Sequence, residues 1–283
     1  LITKGFYPSP KSVITRKKGG YMKIKYIAIL SIILIFNYAN ADSIGYSNAI
    51  LDDNPEGYWQ LNESTGSTGY DSSSSNYNGT YYGGVTLGTE GPFGENAAGF
   101  NGSSGYLQIS DTGTSNLDVS YVTMEAWINP SSLSSQRMIM NKESTWEVTV
   151  QNGYLQSAFY TNTSGGWWWK GSYTITANTW AHIAVTYDGS IVRHYVNGVE
   201  VENYAYSGTL RVNDHDLRIG ARGGDGGASA FFQGSIAHAS VFNTALTADQ
   251  IAAHYNAENV PEPSMLLMIV ISIMGIAFYR LKK

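Results

Sequence analysis

From Thr179 to Val201 the chain reads TWAHIAVTYDGSIVRHYVNGVEV, three alternating apolar runs separated by Asp188-Gly189 and Asn197-Gly198. Both dipeptides suit type I′ hairpin turns, whose two central residues need positive φ, a conformation that Gly adopts freely and Asn or Asp tolerates. Ile183, Val185 and Tyr187 alternate with His182, Ala184 and Thr186, the period of a strand with one buried face. The stretch predicts an antiparallel meander. The same alternation sets Val122, Met124, Ala126 and Ile128 against Thr123, Glu125, Trp127 and Asn129, and Pro130 ends the run. Further strands are predicted at Tyr58 to Leu61, Ala97 to Phe100, Tyr106 to Ile109, Arg137 to Asn141, Trp146 to Val150, Leu217 to Ile219 and Phe231 to Phe242. Asn152-Gly153 turns the chain into Tyr154 to Tyr160, and Gly83-Gly84 predicts a hairpin between Thr80-Tyr81-Tyr82 and Val85-Thr86-Leu87.

Helix is expected once in this region. Thr247 and Gln250 have capping-box spacing, and Ile251, Ala252 and Tyr255 follow on one face. Ser43 to Asn54 reads as a short lead and Glu63 to Asn78 as a loop. Roughly a dozen short strands with regular turn signals predict an all-β, two-sheet antiparallel sandwich with one short C-terminal helix. No repeat of the length that marks propellers or solenoids is visible.

The two ends follow different patterns. A basic segment from Tyr21, an Ile/Leu-rich run from Ile27 to Phe36 and then Ala39-Asn40-Ala41 form a secretory signal peptide over residues 22–41, cleaved after Ala39-x-Ala41. The apolar run is half the roughly 20 residues that a membrane span requires. Residues 1–21 read as an over-extended start, 42–259 as the folded domain, and 260–283 as a separate tail.

The whole chain carries a formal charge of −5, but ten of its 17 basic residues are terminal. Residues 42–259 hold seven basic against 21 acidic side chains, a net −14. Such a surface repels phosphate backbones, so no nucleic-acid partner is expected, and an acidic polysaccharide needs a divalent cation or a local basic patch. There is no cysteine, so the fold rests on its core and neither thiolate metal sites nor Cys nucleophiles are available.

Eight segments in order resemble the laminin G-like, concanavalin A-like jelly roll of bacterial surface proteins. They are Tyr58-Trp59-Gln60-Leu61, Asp71 through Tyr81, Ala98-Gly99-Phe100-Asn101-Gly102, Thr123 through Ile128, Trp180 through Gly189, Tyr195-Val196-Asn197-Gly198, Leu217-Arg218-Ile219-Gly220 and Val241 through Thr247. The resemblance implies a jelly-roll sandwich serving adhesion or carbohydrate binding. Relatives often carry carboxylates that support calcium where this chain has Asn101 and Ala237-His238. No cofactor is therefore expected, and loop Asp residues and backbone carbonyls are the oxygens left for a weaker calcium site. The tail resembles a PEP-CTERM sorting signal: Pro261-Glu262-Pro263 precedes the apolar stretch Met265 to Tyr279, and Arg280, Lys282 and Lys283 lie at the end. That resemblance implies an exosortase-type partner, a transmembrane sorting helix, and delivery to the cell envelope, membrane-attached or released to the extracellular matrix.

Catalytic signals are weak beside this. Glycoside cleavage needs two carboxylates about 5 to 10 Å apart. Glu125 stands alone on its strand, and Glu143 and Glu147 on one continuous strand would be roughly 13 Å apart. His182, His194, His215, His238 and His254 show no metal-ligand spacing and read as structural histidines. Trp167-Trp168-Trp169 is the candidate carbohydrate site, because exposed aromatic faces stack on sugar rings; the bland alternative has two of them in the core. The expectation is a non-enzymatic exported protein of the cell surface or extracellular matrix, carbohydrate-binding or adhesive, with a polysaccharide or surface protein as partner. Its alternatives are a divergent glycoside hydrolase and an adhesin for a surface protein.

Overall fold

The computed structural model describes residues 45–111, 117–163, 168–224 and 227–257. The signal-peptide segment with Ala39 and Ala41, the tail with Pro261, Glu262 and Pro263, and Trp167 lie outside the described residues.

Two eight-stranded antiparallel sheets hold the sixteen described strands. Sheet A runs β14 (Val199–Ala205), β13 (Ile191–Val196), β12 (Ala181–Tyr187), β7 (Val122–Pro130), β16 (Gln233–Phe242), β5 (Asn96–Asn101) and β4 (Val85–Glu90), with β1 (Gly57–Trp59) on the far half of β16. Sheet B runs β11 (Lys170–Thr174), β10 (Tyr154–Phe159), β9 (Trp146–Gln151), β8 (Gln136–Lys142), β15 (Leu217–Ile219), β6 (Tyr106–Ile109), β3 (Gly79–Tyr82) and β2 (Thr68–Gly69). The main core lies between the sheets, where Met124, Ala126, Ile128, Ile183 and Val185 of sheet A share one cluster with Met140, Val148, Val150, Leu217 and Ile219 of sheet B. The β7–β12 register, Ala126 opposite Ile183 and Met124 opposite Val185, is the one that puts both alternating sets on the same face.

Sheet A has a second cover. A helix over 45–52 (α1) and the helix Ala248–Ala257 (α2) pack on its outer face, where Tyr46, Ile50 and Ile251 join Trp127, Ala184, Tyr195 and Phe242 in a smaller core. As a result every residue of β12 is buried, not only the alternate ones the pattern predicts. The 45–52 helix replaces the expected lead, and its cue in the sequence is only the pair Tyr46 and Ile50 at helical spacing. The capping box of α2 is formed: Gln250 N–H donates to Thr247 Oγ1, and Thr247 N–H to Gln250 Oε1.

Two local expectations are corrected. Gly83-Gly84 does not close a hairpin; β3 lies in sheet B and β4 in sheet A, so the pair carries the chain across the sandwich. Gly83 sits at φ +63°, where a Cβ would stand 2.0 Å from the Ser104 carbonyl oxygen, so glycine here serves a close backbone approach. Asn152-Gly153 and Asn197-Gly198 have positive φ at both positions, as the I′ turn demands. At Asp188-Gly189 only Gly189 does; the Asp188 carboxylate instead accepts from Ser190 and Ile191 N–H and builds the turn with its side chain.

Candidate glycan-binding site

Because Val148 and Val150 face the core, Glu147 and Thr149 of β9 face outward; on β8 a bulge puts both Ile139 and Met140 in the core, and Asn141 beyond it faces outward beside Glu147. The register aligns Gln108, Arg218, Asn141, Glu147 and Ala158 in one row over β6, β15, β8, β9 and β10. After β15 the chain makes an excursion closed by paired Arg222 and Ser229. It reaches the polar row: Gly223 N–H donates to Asn141 Oδ1, and Arg222 meets Glu143 with two nitrogens at 3.0 Å and Glu147 at 3.3 Å.

Beside this excursion lies a cleft of about 180 Å³ walled by Asp214, His215, Asp216, Arg218, Gly223 and Gly224. Arg218 donates to Gln108 Oε1 at 3.2 Å, and its guanidinium lies over the Tyr106 ring at 5.0 Å. Tyr106 stacks on Tyr82, which is 44% exposed, so an aromatic ledge continues from the cleft towards the end of the sheet. Among the described residues Arg218 has no carboxylate within ion-pair distance, leaving part of its donor fork for a ligand. A ledge of rings beside clustered donors and acceptors is the chemistry that recognises a sugar: ring faces take its C–H side and polar groups take its hydroxyls.

Glu143 and Glu147 correct the sequence expectation. A tight turn, with Ser144 at φ +61°, separates β8 from β9, so the two carboxylates face each other across a hairpin and lean on the same Asn141 and Arg222 nitrogens. Burial pushes Glu147 up to about 9, against the pull of Arg222 and with the push of Glu143. Glu143 is held low because Arg222 outweighs its partial burial. The two carboxyls are therefore pushed in opposite directions, yet Glu147 is sealed from solvent. The two side chains hydrogen-bond each other, and Glu147 offers no surface to a substrate, so the pair reads as a structural one.

Trp168 is 65% exposed and Trp169 half-buried, so neither is a core residue. They lead into β11, four strand spacings from β15, or about 19 Å along the sheet. The structure therefore leaves them outside the cleft, in the segment just before the far edge strand of the sheet that carries it. Asn101 caps its own loop, accepting from the N–H groups of Ser103, Ser104 and Gly105. Ala237 is buried under the outer cover of sheet A.

The histidines divide. His215 walls the cleft; His182, His194, His238 and His254 are buried and hydrogen-bonded. Glu125, the one acid of β7, is held by three donors: Tyr46 Oη donates to it at 2.9 Å, His182 Nε2 at 2.6 Å and His254 Nδ1 at 3.0 Å, while His254 Nε2 reaches Asp53 at 3.0 Å. Both helices are tied to sheet A through this one carboxylate. Burial pushes Glu125 up, but His182 and His254 outweigh it and hold it at about 2 against an ordinary 4.5. Burial lowers His254, but Glu125 and Asp53 reverse that and raise it above its ordinary 6.5. The depressed carboxyl stabilises the fold above its unfolded value and loses this as pH falls from 4.5 towards 2. The raised imidazole stabilises below 6.5 and loses this as pH rises through its folded value. Urea midpoints are thus expected to be highest between these limits, and Glu125→Gln is expected to remove much of the acid-side slope. An unchanged slope in the variant would contradict the network.

Two stacked antiparallel sheets, one with a covered and one with an open outer face, define a concanavalin A-like β-sandwich. The chain matches the laminin G type of the concanavalin A-like lectin/glucanases superfamily over residues 101–252, and it belongs to that superfamily. Among solved structures it is similar to domain 4 of AbnA, a GH43 extracellular arabinanase from Geobacillus stearothermophilus, in complex with arabinotriose (TM-score 0.56, 18% identity, 71% of this chain and 98% of that one). It is also similar to the receptor binding domain of botulinum neurotoxin C/D mosaic serotype (TM-score 0.57, 15% identity, 72% of this chain) and the binding domain of Paraclostridial Mosquitocidal Protein 1 (0.56, 17%, 73%). The chain spans about half the length of those two, 51% and 53%. No curated protein matches the sequence.

Proposed function

We propose that this chain is a carbohydrate-binding protein of the cell surface or extracellular matrix that holds glycan on the outer face of sheet B and does not cleave it. The asymmetry of the two outer faces carries this reading. Sheet A is closed by α1 and α2, whereas sheet B keeps the Arg218 cleft and the Tyr82–Tyr106 ledge open. The arabinotriose-bound neighbour supports a sugar as ligand, as does a further similar structure, of botulinum neurotoxin type C, whose cell entry depends on interaction with two ganglioside molecules. Asp214 and Asp216 in the cleft wall, together with the acidic surface, favour a neutral, hydroxyl-rich glycan over a polyanion.

The ends of the chain complete the proposal. Residues 22–41 direct export, and Pro261-Glu262-Pro263 with the apolar stretch after it presents the chain to an exosortase-type partner, leaving it membrane-attached or released. Mass spectrometry of the native protein is expected to find Asp42 at the mature N-terminus; a peptide from residues 22–41 on the exported form would contradict it.

A glycan array probed with residues 42–259, with and without EDTA, tests the binding reading. Binding to at least one neutral polysaccharide without release of reducing ends is expected. Silence on every glycan would point to a protein partner, and turnover of a glucan to a hydrolase; either overturns the reading.

A further inference from the structure

Lys142, the last residue of β8, is fully buried, an expensive place for an ammonium unless it is paired and hydrogen-bonded. Its Nζ is enclosed by oxygens from two loops. Asp111 Oδ2 is in direct ion-pair contact, Asp118 Oδ1 stands at 3.4 Å, and the carbonyls of Asn213 and His215 lie at 3.1 and 3.0 Å. This donor set, two carboxylates and two carbonyls with no nitrogen or sulfur, is the one that hard cations prefer.

The ammonium fits the cage incompletely on two counts. It has three protons, used on Asp111 and the two carbonyls, and Asp118 Oδ1 remains buried without a directed hydrogen bond. It brings one positive charge to two carboxylates, so the cage stays one unit negative. An ion of charge two that takes more than three oxygens would match both counts.

The cage also builds the cleft. His215 and its neighbours Asp214 and Asp216 are cleft walls, and Asp216 is further tied by accepting from Asp111 N–H at 2.9 Å. Asn213 braces the same segment, donating to the Glu143 carbonyl and to Thr145. We propose that Lys142 is the internal cation of a hard-oxygen cage that positions the cleft wall without metal, and that removing its side chain turns the cage into a calcium-class divalent-cation site. This goes beyond the glycan reading and does not depend on it, because its readouts are stability and cation binding rather than sugar binding.

The experiment compares the wild-type domain and Lys142→Ala by thermal unfolding and calorimetric titration in EDTA, calcium and magnesium. The wild-type Tm is expected to be the same in all three. Lys142→Ala is expected to melt lower in EDTA and to rise by about 5–10 °C in calcium at one hundred times its Kd, with one ion bound and a weaker response to magnesium. Adding Asp118→Asn to that variant should abolish the calcium response. A calcium-dependent rise in the wild type, or a folded Lys142→Ala indifferent to calcium, overturns the proposal. If Lys142→Ala folds only when refolded in calcium, the proposal is supported. If it folds in neither condition, Asp118→Asn alone decides. Removing the surplus charge with Lys142 in place should leave Tm unchanged or higher, and a fall overturns the proposal.

Discussion

Glu125→Ala is expected to lower the unfolding free energy by about 3–5 kcal/mol, the range for removing one partner of a buried charged network. The substitution leaves Tyr46, His182 and His254 without their common acceptor in a region closed to water. It also leaves His254 with only Asp53 as a charged partner. Tyr46 belongs to α1 and His254 to α2, so the loss acts on the docking of both helices. The urea midpoint should fall, and amide exchange should rise first in 45–52 and Ala248–Ala257 while the β7–β12 ladder stays protected. A variant within about 1 kcal/mol of wild type, below the usual range for a broken buried pair, would mean that water or rearranged partners replace the carboxylate.

Arg218→Ala is expected to weaken binding of any glycan that the array identifies by about ten- to one hundred-fold, corresponding to the loss of one or two charge-assisted hydrogen bonds. Its present bonds, to Gln108 and the Arg222 carbonyl, lie at the half-buried rim, so the melting temperature should move little. That separates it from Glu125→Ala, where stability falls and the sheet B face stays intact. Trp168→Ala should cost less, because Trp168 precedes β11, a strand about four spacings (~19 Å) from β15, and can touch only an extended chain. Full affinity in Arg218→Ala would remove the cleft from the account.

The sandwich was legible in the sequence where short-range rules act alone. Alternation placed Met124, Ala126, Ile183 and Val185 in the core, and the two Asn-Gly pairs closed hairpins with both residues at positive φ. It was less legible where a long-range contact overrides the local pattern. Gly83-Gly84 looks like a hairpin turn, but the space it leaves goes to the Ser104 backbone and the Asn101 side chain, which only the crossover brings near. Polar residues on β7 and β12 looked solvent-facing because nothing nearby in sequence announces that α1 and α2 cover them. The same limit governed the site. Trp167-Trp168-Trp169 is conspicuous as a run, and Trp168 is exposed as a binding aromatic should be. The cleft, however, assembles from single residues on β6, β15 and the excursion after it, with no shared spacing. Glu143 and Glu147 would be far apart on one continuous strand, and the positive-φ Ser144 turn, which nothing in the local pattern announces, brings them together.

The most direct test of the central claim, that sheet B carries the ligand on its outer face, is an NMR titration of the 42–259 domain with a glycan found on the array. Shifts are predicted at Tyr106, Asp214, His215, Arg218, Gly223 and Gly224, extending to Trp168 for longer chains, with α1 and α2 unmoved. Shifts confined to α1, α2 or the outer strands of sheet A would contradict it.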